Sequence, residues 1–85
     1  MPEVCFFDGI SITMNPSEHN PPHFHAKYAE FKALFDFNGE ILKGSFPPKQ
    51  TKITSVWAMM RNKELLNNWE LLKNGKITVR IEPLK

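Results

Sequence analysis

All three histidines of this 85-residue chain fall within seven residues, in His19-Asn20-Pro21-Pro22-His23-Phe24-His25. An imidazole, with an ordinary pKa of about 6.5, gives and takes protons near neutrality and is also a common metal ligand. On an extended strand His23 and His25 point to the same side, roughly 6.5 to 7 Å apart at Cα, a spacing that suits one shared metal ion or one scissile bond. In a metal-free scheme one imidazole takes the 2′-hydroxyl proton of RNA and the other protonates the leaving oxygen. His19 lies across the proline pair and joins them only if the loop turns back, because polyproline II advances about 3.1 Å per residue. A divalent metal such as zinc would call on His19, His23, His25 and Glu30, and Glu30 reaches that side only if the chain bends near Ala29-Glu30. The blander reading is a His-rich edge strand whose polar face is solvated. Tyr28 follows on the Phe24 side, a core ring first and a proton donor second.

The elements that position these residues are readable from turn chemistry and period. Asp8-Gly9 between apolar runs supplies the two positive-φ positions of a tight hairpin. Pairing 7 with 10 and 5 with 12 collects Cys5, Phe7, Ile10, Ile12 and Met14 on one face and puts Ser11 and Thr13 on the other. Asn15 to Pro22 reads as a stiff loop, since its three prolines remove backbone donors. In the strand that follows, Phe24, Ala26 and Tyr28 alternate with His23, His25 and Lys27. The apolar set then changes parity to Phe31, Ala33, Phe35 and Phe37, so a turn or bulge is expected at Ala29-Glu30.

Asn38-Gly39 marks a second hairpin, whose return strand, around Glu40 to Phe46, stops at Pro47-Pro48. Ile53, Val56, Trp57 and Met60, and then Leu65, Leu66, Trp69 and Leu72, have the spacing of one helix face. Asn62 is expected to break and re-cap this run, and Gly75 to end it. Ile77 to Ile81 alternates and is expected to form a last strand. The expected fold is α+β: a small antiparallel sheet of about five strands packed on one side by one or two helices, in ββββ-α(α)-β order, as a single domain over residues 1–85.

Composition narrows the function classes. With 41% hydrophobic and 24% charged residues the chain is an ordinary globular one, too short for two domains. The lone Cys5 excludes an internal disulfide and a Cys-based zinc finger, and in its apolar run it reads as a reduced, buried thiol, which points to the cytoplasm. No apolar stretch approaches the roughly 20 residues of a membrane helix, and Met1-Pro2-Glu3 does not begin like a signal peptide, so no membrane partner is expected. Charge is uneven. Residues 1–42 hold two lysines against six carboxylates, whereas residues 43–85 hold nine basic side chains against three acidic ones. Lys43, Lys49, Lys52, Arg61 and Arg80 are the candidate nucleic-acid contacts of this basic half, although solvated helices look the same in sequence. Trp57 and Trp69 sit at core spacing, with base stacking a secondary role.

The string His19-Asn20-Pro21-Pro22-His23-Phe24-His25-Ala26-Lys27-Tyr28, with Asn68-Trp69-Glu70 and the ending Ile81-Glu82-Pro83-Leu84, resembles a family of small bacterial proteins catalogued as a domain of unknown function. The resemblance implies no particular activity. It does imply a gene often found beside a second small uncharacterised protein, a setting that suggests a toxin–antitoxin pair or a small regulator. The leading expectation is therefore a toxin-like or regulatory member of a two-gene system acting on RNA through the histidines, without cofactor. The alternative is a non-catalytic module that binds metal or a partner protein, and whether the chain is an enzyme stays open at this point.

Overall fold

The computed structural model describes residues 3–16 and 19–84. Strands β1 (Glu3–Phe7), β2 (Ile10–Thr13), β3 (His23–Tyr28), β4 (Phe31–Asp36) and β5 (Ile41–Ser45) precede helices α1 (Pro48–Met60) and α2 (Asn62–Lys73). The strands form one antiparallel sheet in chain order. This is the expected α+β class, and the first hairpin has the expected register, Phe7 opposite Ile10 and Cys5 opposite Ile12. Asp8 and Gly9 turn it with φ of 49° and 78°. A bulge between Glu3 and Cys5 shifts the register, and Val4 and Cys5 are both buried.

Ala29, at φ 52°, turns the chain between the paired residues Tyr28 and Phe31, which accounts for the change of parity. A left-handed residue other than glycine costs about 1–2 kcal/mol, and the six residue pairs of the β3–β4 ladder hold it there. In the next turn Asp36 accepts backbone N–H bonds from Asn38 and Glu40 on one carboxylate oxygen, both at 2.9 Å.

The helices cover one face. Trp57 of α1 packs against Phe7 and Phe24, with ring centroids 5.7 and 5.5 Å away, and Trp69 of α2 packs against Phe37 at 6.0 Å. The Ser55 hydroxyl donates to the Gly39 carbonyl at 2.6 Å, and a Cβ on Gly39 would lie 2.8 Å from the Ser55 carbonyl oxygen. Helix α1 thus sits directly on the β4–β5 turn, and only glycine permits that approach. Docked this way, α1 buries Thr54, Trp57 and Ala58, while Val56 and Met60, expected inside, are exposed. Helix α2 buries Leu65, Asn68 and Trp69 and leaves Leu66 outside. Between the helices Arg61 has φ −107° and ψ 23°, and the Asn62 amide donates to the Phe37 carbonyl at 2.8 Å and caps neither helix.

Past α2, Gly75 N–H bonds the Leu72 carbonyl and Lys76 N–H the Leu71 carbonyl, the paired bonds of a Schellman ending. The expected last strand over Ile77–Ile81 does not form. The Asn68 side chain takes both backbone groups of Val79, accepting from its N–H and donating to its carbonyl at 2.8 Å each, so Val79 has no ladder bond to offer a neighbouring strand. Instead residues 79–83 lie as a strap. Ile81 N–H bonds the Val4 carbonyl, the Trp57 indole N–H donates to the Glu82 carbonyl at 2.8 Å, and Arg61 donates to the Pro83 carbonyl at 3.3 Å.

Candidate functional site

Alternation along the strands divides the sheet into two unlike faces. Ile12, Ala26 and Ala33 form a cross-strand row beneath the helices. The rows on either side of it point away from the helices. One runs Phe6, Ser11, Lys27, Lys32, Ser45, and the other runs Glu3, Thr13, His25, Leu34, Lys43. Ser11, Thr13, His25, Lys27, Lys32, Leu34 and Lys43 of these rows line an open groove of about 490 Å³, the size of a small-ligand site.

The electrostatics of the groove are lopsided. Lys27 stands directly opposite Lys32, and Lys43, opposite Leu34, is one diagonal step from Lys32. Like charges facing each other across a strand pair oppose folding. None of the lining residues is a carboxylate. At the β1 edge Glu3 accepts from the Ser11 hydroxyl at 2.7 Å and pairs with Arg80 at 3.4 Å. Gly44, at φ 87°, lines the groove on β5, where a Cβ would collide with the Lys32 carbonyl oxygen, so the backbone there closes against β4.

His19 parts from the other two histidines, which stay in contact. His19 is exposed in the loop before β3. His23 is 8% exposed, its Nδ1–H donates to the Pro21 carbonyl at 2.8 Å, and its ring lies 5.5 Å from Trp69 and 5.6 Å from His25, centroid to centroid. That carbonyl holds the Nδ1 proton and fixes the ring's orientation. His25 is half-buried and lines the groove. Tyr28 falls on the helix side, where its ring packs over Gly9 and Phe46. Glu30 lies in the turn beyond Tyr28, at the far end of β3 from His23. Among the described residues no group of three or more His, Cys, Asp or Glu side chains is arranged to hold a metal ion.

Of the candidate basic contacts, only Lys43 lines the groove with His25. Lys49 and Lys52 project from α1, Arg61 holds the strap and faces Glu64 at 3.9 Å, and Arg80 donates to the Glu3 carbonyl at 3.2 Å. Sequence reasoning passed over Lys27 and Lys32, which belong to the acidic half. Their signal was present, because a two-residue turn at Ala29-Glu30 leaves Lys27 and Lys32 facing each other. Cys5 is buried on the helix side of the sheet, and burial pushes its thiol up, partly offset by the nearby Arg80 charge. No helix among the described residues is long and apolar enough to cross a membrane.

A family model described as "Domain of unknown function (DUF4160)" matches residues 9–70. The match takes in the His19–His25 string, the groove from β2 to β5 and Asn68-Trp69-Glu70, and it stops before Ile81-Glu82-Pro83-Leu84. No curated protein and no solved structure matches the chain.

Proposed function

The chain belongs to the DUF4160 family, and on that footing we propose that this member binds single-stranded RNA across the open face of its sheet. The observation that carries the reading is the facing pair Lys27 and Lys32, with Lys43 on the diagonal, in a groove whose one neighbouring carboxylate, Glu3 at the β1 edge, is paired with Arg80. A phosphate backbone laid across the strands relieves that repulsion, and its counterions are released. Phe6, 54% exposed at one end of the Lys27–Lys32 row, offers a flat ring on which a base can stack, a contact worth about 1–3 kcal/mol. Duplexes hide the faces of their bases, so the combination favours a single strand. Thr13 adds a hydroxyl to the groove.

His25 is the histidine this reading uses, as a groove contact. His23, packed between Trp69 and His25, is its positioning residue. With the two rings resting on each other, we read the pair as support for a bound strand and not as an acid and a base on opposite sides of a phosphodiester. The setting we propose is a regulatory or toxin-like role beside a small partner protein, and that part rests on the family resemblance alone.

Fluorescence anisotropy with a short labelled RNA over a range of salt tests the binding. Three lysine contacts at about 0.7 per phosphate give a slope of log affinity on log salt near −2. The Lys27→Ala/Lys32→Ala/Lys43→Ala variant should lose most of that slope, and Phe6→Ala should weaken single-stranded RNA more than duplex. Equal affinity and slope in wild type and triple variant would sink the reading. Following RNA integrity in the same samples, with His25→Ala as control, reports any cleavage.

A further inference from the structure

The outward face of α1 has the wrong chemistry for a solvated helix. Lys49, Lys52, Val56, Met59 and Met60 fall within roughly a third of the helix circumference, opposite the buried Thr54, Trp57 and Ala58. Val56 is 38% exposed, Met59 59% and Met60 57%. A helix apolar on both sides is ordinarily covered on both sides. The charges carried by α1 itself all have one sign. Lys49 and Lys52 lie toward its N-terminal end and the exposed Lys63 beyond its C-terminal end, and no carboxylate occurs between Glu40 and Glu64. Glu64 itself faces Arg61.

We infer that this face of α1 is a docking surface for an acidic amphipathic helix of another protein. Such a helix lays apolar side chains at i, i+3, i+4 and i+7 over Val56, Met59 and Met60, and sets carboxylates against Lys49, Lys52 and Lys63. Methionine suits the role, since its unbranched thioether adapts to the shape of the partner. Charge argues against a second copy of this chain: antiparallel self-pairing brings Lys49 and Lys52 of one α1 against the Lys63 end of the other. The surface lies on the side of α1 turned away from the sheet, and it stands or falls independently of RNA binding on the open face.

The test is selection from a displayed library of random peptides on the full chain, followed by anisotropy with the recovered peptides. The expected result is enrichment of net-negative sequences with apolar residues at helical spacing. Binding should fall at least tenfold in Met59→Glu and in Val56→Gln, a few-fold in Lys49→Ala/Lys52→Ala, and not at all in the Lys27/Lys32/Lys43 alanine variant. These positions are solvent-facing, and unchanged circular dichroism melting in Val56→Gln and Met59→Glu separates lost docking from lost folding. No enrichment, recovery of peptides without negative charge, or binding that survives Met59→Glu overturns the proposal. So does concentration-dependent dimerisation of the wild type that Met59→Glu abolishes, or binding to phosphatidylserine vesicles that replaces peptide binding.

Discussion

The two faces of the sheet are built from the same strands and obey opposite rules. Toward the helices, Phe24 stacks on Phe35 with ring planes 3° apart and meets Trp57 edge-on, so every neighbour adds to stability. On the open side, lysine faces lysine and Phe6 stands in water, an arrangement that folding alone does not reward. Because successive side chains alternate, one register fixes both faces. Stability can therefore be concentrated on one side while the other carries a charge pattern that, on the proposed reading, a polyanionic ligand relieves.

Substitutions should separate the faces cleanly. The largest effect belongs to Phe24→Ala, which should cost about 3–5 kcal/mol in denaturant titration; a cost under about 1 kcal/mol would mean the covered face is not the core. Next is Asn68→Ala, which strips both bonds from Val79. We expect a loss of about 1–3 kcal/mol together with faster amide exchange at Ile81. Smaller in energy but sharper as a test is Lys27→Glu, which turns the facing pair into an opposite-charge pair with Lys32. It should raise stability by about 0.2–1 kcal/mol while RNA affinity drops. Stability that falls instead would show that the repulsion is not felt, and the contrast between the faces would lose its basis.

The smallest effect is the response of Cys5 to pH. Burial holds this thiol neutral above its ordinary range. Below that range both folded and unfolded chains keep the proton, so stability is flat. As pH rises through it the unfolded chain ionises first and the folded state loses ground. Cys5→Ala should remove this alkaline component, and native wild type should react with a thiol reagent only as fast as it opens.

What was legible in the sequence follows from the range of the interactions involved. The Asp8-Gly9 hairpin, its register and the parity change at Ala29 are local, dictated by turn chemistry and a period of two, and all appear in the structure. The helix faces were read less well. In α1 apolar residues occur around the whole circumference, and the rotation that buries Thr54 and exposes Val56 is set by Ser55 bonding Gly39, a contact sixteen residues distant. Likewise the alternation in Ile77–Ile81 was real enough to bury Ile81, but Asn68 captured the backbone that a strand would have used. The histidine cluster runs from the loop before β3 into that strand, as the proline pattern and the alternation dictate. His19 stays in the loop while His23 and His25 keep their rings together beside the groove, and the lysines next to His25 emerge only when β3 and β4 are paired explicitly.

The strap over residues 79–83 has a consequence for the order of events during synthesis. Until those residues leave the ribosome, β1 has no partner along its outer edge at Val4, and the Trp57 indole N–H has not met the Glu82 carbonyl. The sheet and both helices are complete in sequence by Lys73, yet the centre of their packing waits for a segment made later. A nascent chain stalled short of Val79 therefore exposes an open strand edge and an unfinished core, which makes it a ready client for chaperones and proteases.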